Sequence, residues 1–153
     1  MKDSLWSHSY SIGVEYLNRQ HMHLLKLVAD VESAIENKAP AASLESHLRD
    51  FIEYCEEHFA DEEELQQKIP MPEDMRQTHK EQHELIYTNI FALDEKLHKA
   101  PESARSELTA FLKEWIVDHI LVQDKAFAPF AKDFADYKPS RAARRKMKGR
   151  GKS

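Results

Sequence analysis

The chain has 153 residues, 41% of them hydrophobic, which suits one domain with a single sizeable core. Its net charge of −5 is uneven: the last thirteen residues, RAARRKMKGRGKS, carry seven Lys and Arg, so the first 140 hold 15 basic against 27 acidic groups, a net of −12. That balance excludes a basic nucleic-acid-binding face on the folded part, and the absence of any apolar run near 20 residues excludes a membrane-spanning helix.

The first residues, MKDSLWSHSY, contain no apolar export core. The only cysteine is Cys55, so no intrachain disulfide can form and a reducing, cytoplasmic setting is expected. Only three glycines occur, which argues against a turn-rich β fold.

In chain order, residues 1–17 include Leu5, Trp6, Ile12, Val14 and Tyr16 and are expected to pack on the domain as an arm. Asn18 is a candidate N-cap for a helix over 19–37, whose apolar row runs Leu17, Leu24, Val28, Val31, Ile35. After Pro40 a second helix is expected over 42–68, with Leu44, Leu48, Phe51, Ile52, Cys55, Phe59 and Leu65 inward. The two prolines of KIPMPE end it. A third helix over 73–98 carries Met75, Ile86, Ile90, Leu93 and Leu97. A fourth over 103–127 carries Leu108, Leu112, Trp115, Ile116 and Phe127. Four amphipathic helices joined by short loops predict an all-α, up-down-up-down four-helix bundle over 1–138. A basic, disordered tail is expected over 139–153.

Each helix interrupts its apolar row with a polar group. His21 stands in the first; His58 and Glu62, four apart, in the second; His79 and His83, four apart, in the third; His119, one turn after Trp115, in the fourth. Residues four apart share a helix face, so both pairs can point at one place in the bundle centre. Asp124 lies five residues after His119, about 140° away on a regular α-helix. It reaches the same centre only through an axial offset or a local widening such as a π-bulge. His8, His23, His47 and His98 fall off the inner rows, and Glu56, Glu57, Asp61, Glu63 and Glu64 read as a solvated face.

A single histidine on a core row is usually a hydrogen-bonded core residue. Five imidazoles and two carboxylates on four helices are a different matter. Buried without partners, each charged group would cost several kcal/mol, and the sum would exceed a typical domain stability of about 5–15 kcal/mol. A metal supplies the missing partner. Seven donors are too many for one tetrahedral zinc, and calcium and magnesium prefer oxygen. Five imidazoles with two shared carboxylates fit two ions, which in a four-helix bundle points to a di-iron site.

The segments QHMHL (20–24), HFADEEEL (58–65), HKEQH (79–83) and WIVDHILVQD (115–124), in this order, resemble those of the hemerythrins, in particular the single-domain bacteriohemerythrins. The resemblance runs from Trp6 to about Phe127. It implies two iron ions per chain with an oxo or hydroxo bridge. One ion would be held by His79, His83 and His119, the other by His21 and His58 with an open position, and Glu62 and Asp124 would bridge them. It implies reversible O2 binding without enzymatic turnover, with NO or small anions such as azide as further ligands. Under this scheme the net charge of the centre is the same before and after O2 binds, so no charge enters a dry core.

By helical position Leu24, Phe59, Trp115, Ile116 and Ile120 would line the O2 pocket. Three positions depart from the family pattern: Asn18 where Asp is usual, Ile116 where Leu is common, and Gln66 where Met is common. Two alternative roles stay open. One is an O2, NO or redox sensor acting through a partner. The other is a di-iron oxidase or peroxidase, which the histidine-rich donor set disfavours, since activating sites in ferritin-like bundles are mostly carboxylate. The tail is a candidate docking segment for an acidic protein or an anionic surface.

Overall fold

The computed structural model describes residues 10–140, apart from the side chains of Ile116, Val117, Ile120 and Leu121. The arm residues before Tyr10, all of the expected tail over 139–153 except Pro139 and Ser140, and the expected pocket side chains Ile116 and Ile120 therefore lie outside the described residues; Pro139 is buried and Ser140 Oγ donates to Glu64 at 2.6 Å.

Four long helices form the body: α1 (Glu15–Glu36), α2 (Ala41–Gln66), α3 (Glu73–Lys99) and α4 (Pro101–Asp118). The last runs on through a π-helical stretch, His119–Asp124, a short α5 (Lys125–Phe127) and a 3-10 turn, Ala128–Phe134. α1 packs on α2 and α4, and α3 packs on the same two. This is the expected up-down-up-down bundle, with no strand among the described residues. None of the described helices is long and apolar enough to cross a membrane.

The turns are short and specifically closed. α1 ends where Lys38 takes a positive φ of 53°, and the Ala39 N–H donates to Ala34 O at 2.9 Å. Pro40 then opens α2, its carbonyl accepting from the Leu44 N–H. At the other end, Arg76 clamps the proline-rich loop. Its guanidinium donates to the carbonyls of Gln66 (2.9 Å), Ile69 (3.3 Å) and Met71 (3.1 Å). Arg105 donates to Ala39 O at 2.6 Å, tying the start of α4 to the α1–α2 turn.

One expected boundary is corrected. α1 begins at Glu15, not after Asn18; Val14 is the extended residue that precedes it. Asn18 lies inside the first turn, and its side chain bonds backwards. It accepts from the Ile12 N–H at 3.0 Å and donates to Ser11 Oγ at 3.0 Å. It therefore fastens the incoming segment, whose Ile12 and Val14 are buried.

The core has two parts. The larger one, toward the α1–α2 turn, contains Leu24, Val28, Leu48, Phe51, Phe59, Ile86, Ile90 and Leu112. The smaller one, toward the α2–α3 loop, contains Ile12, Val14, Leu17, Leu65, Ile69, Met71 and Phe127. Along α1, His21 falls between Leu17 of one cluster and Leu24 of the other. Along α2, His58 and Glu62 are followed by Leu65 of the smaller cluster, and on the continuation of α4 His119 and Asp124 fall between Leu112 and Phe127. The polar side chains thus form a layer between two apolar plugs.

Candidate metal centre

All seven expected donors meet in that layer. His21, His58, Glu62 and Asp124 are 0% exposed, and His79, His83 and His119 no more than 3%. Their donor atoms fall into two overlapping groups: Glu62, His79, His83, His119 and Asp124 in one, and His21, His58, Glu62 and Asp124 in the other, with the donor atoms of each group within 4.8 Å of one another. Both carboxylates belong to both groups.

Asp124 shows how. One oxygen, Oδ1, lies 2.8 Å from His79 Nε2 and 3.0 Å from His119 Nε2, while Oδ2 lies 2.7 Å from His21 Nε2. Glu62 does the same in parallel, with Oε1 3.1 Å from His83 Nε2 and Oε2 3.3 Å from His58 Nε2. The five-residue step from His119 to Asp124 is accommodated by the π-helical stretch that spans these two residues.

The layer asks for positive charge. Among the described residues, His21 Nε2, His58 Nε2, His119 Nε2, Glu62 Oε2 and Asp124 Oδ2 are buried, directed inward and without a properly aligned hydrogen bond. Burial works against charge on His21, but the carboxylates of Asp124 and Glu62 outweigh it and raise its pKa to about 9. His83 is likewise raised to about 9, against burial, by Glu62 and Glu63. Burial pushes the two carboxylates up, and they repel each other. The surrounding imidazoles, His58 and His79 around Glu62 and His119 around Asp124, win and hold both well below the usual range. His119, where burial dominates, is lowered. Five imidazole nitrogens and two carboxylates converging in a dry layer fit a non-heme iron site.

Several groups behind the donors were not anticipated. His58 Nδ1–H donates to Gln20 Oε1 at 2.8 Å, and Gln20 Nε2 donates on to Asp61 Oδ2 at 2.8 Å. Asp61 is 2% exposed, which corrects the reading of it as part of a solvated face. His83 Nδ1–H donates to Glu63 Oε2 at 2.8 Å, and the Gln66 amide lies 3.1 Å from His79 Nδ1. Helical spacing carried the signal. Gln20 is four residues before Leu24, Asp61 three after His58, and Gln66 four after Glu62, each on an inward row. Such partners fix which ring nitrogen faces the metal and how the ring is turned.

Of the expected pocket residues, Phe59 stacks on His83, with ring centroids 3.9 Å apart and planes at 8°. Trp115 stacks on His119 at 5.4 Å and 14°. Leu24 is buried in the larger cluster. Phe59 and Trp115 thus cover two of the imidazoles. His23 and His98 are exposed and His47 is half-buried; none joins the cluster.

The Hemerythrin HHE cation binding domain matches residues 12–131 of this chain. The chain belongs to the hemerythrin family. A myohemerythrin from Riftia pachyptila is 30% identical over 119 residues, covering 76% of this chain and 83% of that protein. A bacteriohemerythrin from Stenotrophomonas maltophilia is 25% identical over 124 residues, 81% of this chain and 78% of the relative. A hemerythrin-like protein from Naegleria gruberi is 29% identical over 122 residues, 80% and 88% of the two chains. No solved structure matches significantly. Family membership and the donor layer together make this hemerythrin an O2-binding or O2-sensing domain built on non-heme iron.

Proposed function

We propose that the chain binds O2 reversibly at two iron ions, as a carrier, store or delivery protein and not as an enzyme. In this reading His79, His83 and His119 hold one ion, His21 and His58 hold the other, and Glu62 and Asp124 reach both. The single observation that carries it is the inequality of the two donor groups, three imidazoles against two around the same pair of carboxylates. A donor set one imidazole short leaves one ion with room for a small ligand. Two ferrous ions held by these residues would supply the two electrons that O2 takes up on binding and returns on release.

The protein's part is to keep that exchange clean. Leu24, Phe59 and Trp115 supply apolar surface beside the layer that would keep water from a ligand bound there. Gln20, itself held by Asp61, takes the outward Nδ1 of His58 and keeps Nε2 aimed inward. The histidine-rich set contrasts with the carboxylate-rich sites that activate O2 for oxidation.

The test is metal and gas stoichiometry on protein produced with iron available. Two irons and one O2 per chain are expected. One iron per chain, or zinc at full occupancy after iron supplementation, would refute the paired centre.

A further inference from the structure

Among the five histidines of the layer, the outward nitrogens are treated unequally. His58 is backed by the Gln20 amide and His83 by the Glu63 carboxylate, whereas the Nδ1 atoms of His21 and His119 have no hydrogen-bond partner among the described residues. His79 is backed by Gln66, which is 1% exposed and sits one turn after Glu62. Gln66 is itself anchored, because Arg76 holds its backbone carbonyl at 2.9 Å.

We infer that Gln66 is the positioning residue for His79, its amide holding the outward Nδ1 so that Nε2 stays aimed at the metal layer. His79 Nε2 lies 2.8 Å from Asp124 Oδ1 and 3.5 Å from Glu62 Oε1, so Nε2 is the inward, ligating atom. An imidazole that binds metal through Nε2 carries its proton on Nδ1 and must donate it outward. In the structure Gln66 Nε2 lies 3.1 Å from His79 Nδ1, and the carboxamide turned by 180° accepts that proton through its oxygen.

When instead Nε2 carries the proton and donates to Asp124, Nδ1 is an acceptor. The carboxamide then donates through its NH2, the orientation it has in the structure. One side chain therefore satisfies His79 in both tautomers and keeps the ring in place before and after metal enters. A thioether of the same length is only a weak acceptor, and an ionised carboxylate cannot donate to an unprotonated Nδ1.

This inference rests on the paired-iron reading above, and the experiment separates the two. Wild-type, Gln66→Met, Gln66→Glu and Gln67→Met proteins are loaded with iron. Loss of iron to excess 2,2′-bipyridine after reduction is followed, together with the midpoint potential of the loaded site. Circular dichroism confirms that each variant is folded. Gln67→Met is the neighbour control, since Gln67 is exposed.

The expected order is fast loss from Gln66→Met, with iron affinity down about tenfold or more, and loss from Gln66→Glu no faster than from wild type. Gln66→Glu should also show a lowered potential, because a carboxylate makes His79 a stronger donor to ferric iron. Gln67→Met should behave as wild type. Equal rates and potentials across the series would overturn the role of Gln66 while leaving the iron centre standing. Equal weakening by Met and Glu would also overturn it, by showing that residue 66 acts through packing alone. A wild-type protein that holds no iron would overturn both readings at once.

Discussion

Asp124→Asn is the sharpest perturbation of the layer, because it removes a charge at nearly constant volume. In a regular α-helix, residue 124 would point about 140° away from residue 119; on a helix about 5–6 Å in outer radius that displaces the side-chain tip by about 10 Å. The π-helical stretch His119–Asp124 cancels that swing and brings the carboxylate within 3.0 Å of His119, His79 and His21. In the iron-free protein its carboxylate, 2.7 Å from Nε2, is the foremost influence raising His21 against burial, from 6.5 to about 9. At pH 7 a rise of that size corresponds to about 2–3 kcal/mol, most of which the amide forfeits. For a chain of this length the melting temperature of the iron-free protein should fall by about 5–10 °C. In the loaded protein the variant loses a donor common to both groups, so iron content should drop below one per chain rather than from two to one. Differential scanning calorimetry and metal analysis check the two effects, with exposed Asp118→Asn as control. Wild-type melting and two irons in Asp124→Asn would refute both the bridging placement and its electrostatic basis.

Stability of the iron-free protein should depend on pH with a definite sign. His21 and His83 are raised to about 9, so their contribution is complete below 6.5 and is lost as pH rises through about 9, while the lowered Glu62 and Asp124 lose theirs only at acidic pH. Melting temperature should therefore fall between pH 6.5 and 9.5, whereas iron affinity, which needs neutral imidazoles, should rise; an iron-free protein that gains stability over that range would contradict the electrostatics. Gln20→Leu cuts the support behind His58 and should weaken iron binding about tenfold or more in a chelator competition. Asn18→Ala removes two hydrogen bonds that fasten residues 11 and 12, and should cost about 1–2 kcal/mol in denaturant unfolding with iron content unchanged. His58→Ala should abolish stable O2 binding and His47→Ala should leave it intact, as read by the visible spectrum of the oxygenated protein.

The four helices and the seven donors were legible because one period governs both. A buried row with a polar residue every turn at the same level marks the layer as clearly as the core. The step from His119 to Asp124 broke that period by one residue, and the break itself pointed to the π-helical stretch. What the period does not convey is the direction in which a polar side chain bonds. Asn18 has the composition of an N-cap but spends its amide on Ser11 and Ile12, so the helix starts four residues earlier than expected. Asp61 sits in an acidic run that looks solvated, and only the position of Gln20 across the α1–α2 interface shows that it is buried. Gln66 could be noticed as a departure from the family pattern, but its partner His79 comes from another helix and is visible only in three dimensions.

The central claim is that the paired donor layer binds O2 and gives it back. The measurement that tests it most directly is a gas cycle on the fully reduced, iron-loaded protein: admit O2, record the visible spectrum, flush with inert gas, and repeat. The expected result is an oxygenated spectrum at one O2 per chain that reverts to the reduced spectrum over successive cycles. Conversion to the oxidised, diferric spectrum on the first exposure, with no recovery under inert gas, would contradict it.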